Sequence, residues 1–92
     1  MQIPTREEFT ARALAAGFDE VVERQWPPLA VIPLHTHPFA VEAIVVQGEM
    51  WLDIGEASRH LRVGDRFALA RDIPHAERYG SAGATYWVAR RN

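Results

Sequence analysis

The pattern of apolar and polar positions changes period once along the chain, near residue 20. Before that point the spacing is helical. Thr5, followed three residues later by Glu8, matches a capping box, in which the two side chains satisfy each other's free backbone donors. Good helix formers continue to about Ala16, and Gly17 stands where a glycine C-terminal cap belongs. Phe9, Ala13 and Ala16 recur at helical spacing and form the face expected to pack on the rest. The pattern therefore predicts one N-terminal helix within residues 1–17.

Beyond it, short apolar segments alternate with turn signals. Strands are expected at 21–26, ended by Pro27-Pro28, and at 29–34, where Pro33 argues for an edge or irregular strand. Residues 41–47 are almost continuously apolar, as in a strand buried on both faces. Gly48-Glu49 is read as a turn into a strand at 50–54, with Met50, Leu52 and Ile54 alternating, and Gly55-Glu56 as the next turn. Leu61 and Val63 form an inward set leading to Gly64-Asp65. Strands at 66–70, 74–79 and 85–89 follow, the last two separated by a loop at 80–83. Many short strands at regular spacing predict an all-β fold, a small antiparallel β-barrel or jelly roll over residues 21–92, with the helix packed outside it. Ninety-two residues make one domain, 1–92.

Composition removes several function classes. There is no cysteine, which excludes disulfides and zinc–thiolate sites. All ten basic residues are arginine, so Schiff-base chemistry and a P-loop lysine are absent. The two serines, Ser58 and Ser81, lie outside any nucleophile-elbow setting. A net charge of −2 gives no basic stripe for nucleic acid. No apolar run reaches the roughly 20 residues needed to cross a membrane, and the early acidic residues do not read as a signal peptide. The expectation is a soluble, cytoplasmic protein with no nucleic-acid or membrane partner.

The chemistry sits in His35-Thr36-His37-Pro38. Histidines at i and i+2 on an extended segment share one face, and Pro38 pushes His37 out of the helical region. A third histidine, His75, follows Pro74 at the head of a later strand. Three neutral imidazoles suit first-row divalent ions and leave positions open for water or substrate. His60, out of phase with Leu61 and Val63, is expected to face solvent.

With these residues the chain resembles the small single-domain cupins. His35, His37 and Gly48 occupy places in the family's first motif, of the type H-x-H-x(3,4)-E-x(6)-G, and Gly64-Asp65 followed by Ile73-Pro74-His75 resembles the second. The resemblance covers roughly residues 26–86. It implies a barrel-interior metal site with His35, His37 and His75 as ligands and a divalent Fe, Ni, Mn or Zn ion as cofactor. The family glutamate falls at Val41 when counted back from Gly48, whereas the acid present is Glu42, one position later. A one-residue offset on a strand turns a side chain to the other face, so Glu42 joins the site only if a bulge precedes it. Glu77, two residues beyond His75 and on its face in a regular strand, is the rival carboxylate. Tyr79 and Tyr86 are candidate supporting hydroxyls.

The bland alternatives are surface carboxylates for Glu42 and Glu77, the latter paired with Arg66, Arg71 or Arg78, and a solvated tail for Arg90-Arg91. A homodimer is expected, formed by strand exchange or sheet packing; Trp26, Trp51 and Trp87 either line a ligand cavity or, for at least one of them, belong to the dimer interface. The functional expectation is a metal-binding cupin that takes a small organic ligand in its barrel, as a dioxygenase, isomerase or lyase. The alternatives are a non-catalytic small-molecule binding or sensing module, and a metal-free isomerase or epimerase in which His37 or His75 is the general base.

Overall fold

In the computed structural model, which describes residues 3–92, the capping box at Thr5 is formed in both directions. The Glu8 amide donates to Thr5 Oγ1 at 3.1 Å and the Thr5 amide donates to Glu8 Oε1 at 2.9 Å. The Thr5 amide and side chain hold the Glu8 carboxyl below its ordinary pKa. Helix α1 (Arg6–Ala15) ends at Gly17, whose φ of +94° is the left-handed conformation a glycine cap needs. Phe9 and Ala13 are buried against the barrel, whereas Ala16 is exposed. The expected apolar stripe stops one turn early because Ala16 is already the cap residue, where the chain leaves the helix.

Six antiparallel strands follow: β1 (Glu20–Trp26), β2 (Val31–His35), β3 (Ala40–Ile54), β4 (Ala57–Arg62), β5 (Arg66–Leu69) and β6 (His75–Arg91). Strands β3 and β6 pair along most of their length and form the spine. The first half of β3 also pairs with β5 and its second half with β4. The second half of β6 pairs with β1 and its first half with β2. One sheet thus folds over into two four-strand layers, β1-β6-β3-β5 and β2-β6-β3-β4, that share the two bent strands. Strands that pass between layers through bulges are the usual corners of such packings.

The corner corrects two of the turns expected from the sequence. Neither Gly48-Glu49 nor residues 80–83 end a strand; both lie inside continuous strands where the β3–β6 register shifts. Each irregularity reverses which positions face inward. On β3 the interior residues are Val41, Ala43 and Val45 before the corner, then Met50 and Leu52 after it. On β6 they are His75, Glu77 and Tyr79 before it, then Ala84, Tyr86 and Val88.

The apolar run in β3 is explained by burial on both sides. Val41, Ala43 and Val45 enter the barrel core, while Ile44 packs outside with Phe9, Ala13, Phe18 and Ala89 under α1. Of the expected pair Leu61 and Val63, only Leu61 is interior; Val63 lies in the turn beyond β4 and is exposed. The terminal arginines are not a solvated tail. Arg91 donates to the Ala16 carbonyl at 2.9 Å and to the Gly17 carbonyl at 3.4 Å, placing a cation at the C-terminal end of α1. Arg90 is half-buried on the inner face. No helix among the described residues is long and apolar enough to cross a membrane.

Two glycines with positive φ, Gly48 (+74°) and Gly83 (+70°), lie where another backbone comes close. A Cβ on Gly48 would collide with the Gly83 carbonyl oxygen, and one on Gly83 with the Trp26 carbonyl oxygen. Gly55 also has positive φ, +58°, but faces open space. Gly48→Ala and Gly83→Ala are therefore expected to lose more than about 2 kcal/mol each, against about 1 kcal/mol for Gly55→Ala. Urea denaturation checks this, and equal losses at all three sites would show that the close approach is not the constraint.

Candidate metal centre

The three histidines converge because β2 ends beside the start of β6. Ile32 pairs with Glu77 and His35 with His75, so β2 carries one extra residue in between. That irregularity, at Pro33 and Leu34, leaves both Ile32 and His35 lining the interior. His37 lies two residues further on, in the loop before β3, and its carbonyl accepts the Asp72 amide at 3.0 Å. The bond ties this loop to the segment that carries Ile73-Pro74-His75. The rings of His35 and His37 lie 4.2 and 4.8 Å from that of His75, centroid to centroid. One ring nitrogen from each of the three falls within 4.8 Å of the others.

The orientation of the rings matters as much as their proximity. Each Nδ1 faces a backbone carbonyl: His35 to Pro33 and His75 to Ile73, both at 2.8 Å, and His37 to Phe39 at 3.3 Å. A carbonyl only accepts, so each Nδ1 carries the hydrogen and each Nε2 keeps a lone pair. Pinning one nitrogen in this way is how proteins orient a histidine for metal binding through the other.

Glu77 faces the same point. Its Oε2 lies 3.5 Å from His35 Nε2 and 3.9 Å from His75 Nε2. Its Oε1 accepts from the Tyr79 hydroxyl at 2.6 Å and lies 3.4 Å from the Tyr86 hydroxyl, which in turn accepts from Trp26 Nε1 at 3.2 Å. Glu77 is 6% exposed, deep enough that its carboxyl needs these partners. Burial pushes the Tyr79 phenol far above its ordinary pKa and the Tyr86 phenol in the same direction, with the nearby carboxylate adding to both. The two hydroxyls meet one carboxylate oxygen of Glu77 and leave the other toward the histidines.

Glu42 is elsewhere. It is exposed, opposite Ala68 of β5 and Ala89 of β6, on the outer face beside α1. Val41, where the family spacing puts its glutamate, is the residue that lines the cavity. The bulges of β3 all follow residue 45, so nothing precedes Glu42 to reverse its direction. The bland reading of Glu77 as a salt-bridge partner of Arg66, Arg71 or Arg78 does not hold either: Arg78 is on the outer face and pairs with Asp53 at 3.1 Å. His60 is exposed and outside the cluster, stacked on Trp51 and hydrogen-bonded to Glu49 at 2.6 Å.

The cluster opens into a cavity of about 220 Å³ inside the barrel. Its wall is mostly apolar and includes Ile32, Val41, Phe67 and Leu69. Of the three tryptophans only Trp26 reaches it; Trp87 packs on Phe9 beneath α1. Arg24 and Arg90 also line the cavity, and neither was among the sequence candidates. The available signal was alternation: Arg24 shares the face of Trp26, and Arg90 that of Tyr86 and Val88.

No family model matches the chain, and no curated protein matches it. Solved structures do. An RmlC-like cupin from Shewanella frigidimarina aligns with a TM-score of 0.67 and 19% identity, over 78% of this chain and 65% of its own. A structure described as that of the DMSP lyases RdDddP and RnDddQII aligns with a TM-score of 0.72 and 22% identity, over 78% of this chain and 37% of its own. An oxalate oxidase aligns with a TM-score of 0.69 and 23% identity, over 78% of this chain and 41% of its own. The chain thus spans about a third to two-thirds of the length of these structures. The shared feature is the fold, that of the cupins.

Burial holds the His37 imidazole below its ordinary pKa of 6.5, with the other two rings adding to the effect and the Phe39 carbonyl and Glu77 opposing it. A depressed value means that protons bind the unfolded chain more readily. The contribution of His37 to stability is then present above about pH 6.5 and lost as pH falls through that value toward the folded pKa. NMR titration of the metal-free protein is expected to place the His37 midpoint below 6.5; a midpoint above 7 would contradict the desolvated setting.

Proposed function

We propose that this chain, with the fold of a cupin, is a metal-dependent member of that fold that binds a small organic molecule at a histidine site inside the barrel. One observation carries the reading: three imidazoles, from β2, the loop after it and the start of β6, each have Nδ1 on a backbone carbonyl and bring one ring nitrogen within 4.8 Å of the others. Nothing in the packing of the core requires that arrangement. Three like side chains that become cationic at low pH would repel one another without a shared partner.

The donor set fits a divalent first-row ion. Bonds of about 2.1 Å place neighbouring ligand atoms about 3.0–3.4 Å apart. Glu77 Oε2, at 3.5 and 3.9 Å from two histidines, is close to that range, and the histidine nitrogens, within 4.8 Å of one another, would draw in further around the ion. His35, His37 and His75 would hold the ion, and Glu77 would complete the shell from β6, replacing the carboxylate that the family spacing puts at Val41. A bound ion of this type supplies Lewis-acid polarisation of a substrate oxygen and, if iron, reactivity toward dioxygen.

The chain's own residues do the rest. Tyr79 and Tyr86 hold Glu77 in place, and the apolar wall limits water in the cavity. Tyr86 lines that wall with its hydroxyl between Trp26 and Glu77. A lyase and an oxidase among the structures of this fold support an enzymatic role, and leave the reaction to be assigned by experiment.

Purified protein is expected to take up about one equivalent of zinc or nickel per chain. His35→Ala and His75→Ala should each lose it, while His60→Ala should retain it. Glu77→Gln should weaken binding about 10- to 100-fold, and Glu42→Gln should leave it unchanged. Elemental analysis after dialysis and competition with a chromophoric chelator read these outcomes. Stoichiometric metal in His75→Ala would overturn the site.

A further inference from the structure

We propose that Arg24 and Arg90 form a carboxylate-binding pair in the wall of the same cavity, so that the molecule held there is a small organic acid. Its carboxylate would lie on the arginines and its other end would face the histidines. The second half of this statement rests on the metal reading above; the first half does not.

Both arginines are placed by strand alternation. Arg24 pairs with Tyr86 across β1 and β6, two residues from Trp26. Arg90 follows Val88 on the inner face of β6, between Glu20 of β1 and Val41 of β3. Each guanidinium lies over an aromatic ring, Arg24 over Trp26 at 5.0 Å and Arg90 over Phe39 at 4.9 Å. Phe39 is itself stacked on His37, with ring centroids 4.3 Å apart. The Arg90 cation is thereby linked through one ring to the histidine cluster.

These cations are poorly matched within the chain. Arg90 Nε is buried with no hydrogen-bond partner. Its nearest carboxylate, Glu20, lies 3.9 Å from Nη1, at the limit of an ion pair. Arg24 has no carboxylate within ion-pair range among the described residues. A buried donor left unsatisfied is costly, and guanidinium offers five donors in a planar fork that accepts a carboxylate two oxygens at a time. The charge balance points the same way. The chain carries a net −2, yet two arginines and one glutamate line the cavity. That local positive surplus is focused between low-dielectric walls, and a divalent ion would increase it.

A singly charged planar acid suits this arrangement better than phosphate. Glu77 lines the same cavity and repels a second negative charge, and the volume of about 220 Å³ admits only a short molecule.

Isothermal titration of the full-length protein tests this, both zinc-loaded and after chelator treatment. The probes are acetate, propionate and succinate, each beside its neutral amide, together with inorganic phosphate. At least one acid is expected to bind at one per chain and at least about tenfold tighter than its amide. Arg24→Gln and Arg90→Gln should each weaken that acid at least about tenfold, with zinc stoichiometry and far-ultraviolet circular dichroism unchanged. Several results would overturn the inference: no acid binding at about 10 mM, equal affinity for acid and amide, tighter binding of phosphate, or unchanged binding in the double variant. Failure to take up zinc with acid binding intact would sink the metal reading alone. Retained zinc without preference for acids would sink the arginine pair alone.

Discussion

The pairing of β3 with β6 through a corner is the constraint on which the rest of the molecule depends. At the corner Gly48 and Gly83 bring two backbones closer than any side chain permits. The register shifts there reverse the inward parity of both strands. Because of that reversal one strand contributes twice to one interior. His75, Glu77 and Tyr79 enter from its first half, Tyr86, Val88 and Arg90 from its second. A regular strand of this length would turn one of these sets to the outside.

The histidine cluster is thus a product of strand geometry more than of any single motif. The extra residue in β2 sets His35 beside His75, and the amide of Asp72 fixes the loop that carries His37. Backbone carbonyls then choose the tautomer of all three rings, and two neutral phenols aim the carboxylate. The supports come from β2, the loop carrying His37 and Phe39, the segment carrying Asp72 and Ile73, and β6. The protein itself orients the rings and the carboxylate, which would lower the entropic cost of assembling the coordination shell proposed above.

Much of this was legible in the sequence where the signal is local. The capping box at Thr5 and Glu8 reads directly, as does the shared face of His35 and His37. The outward direction of Glu42 also follows from its offset, since β3 is regular up to residue 45. What could not be read is parity across an irregularity. Glycine marks a turn and a bulge alike, so Gly48 and residues 80–83 carry turn signals where the chain runs on. Arg90-Arg91 shows the related difficulty. Two adjacent arginines near the end of a sequence resemble a solvated tail, but on a strand they must face opposite ways. One closes the helix from outside and the other enters the cavity.

The central claim is that one ion is held by His35, His37, His75 and Glu77. The most direct test is anomalous diffraction from crystals of zinc-loaded protein, collected above and below the zinc edge. The account predicts one peak per chain inside the barrel, within bonding distance of the three Nε2 atoms and Glu77 Oε2, with each Nδ1 still facing its backbone carbonyl. No peak in the barrel, or a peak at the exposed Glu49–His60 pair instead, would contradict it.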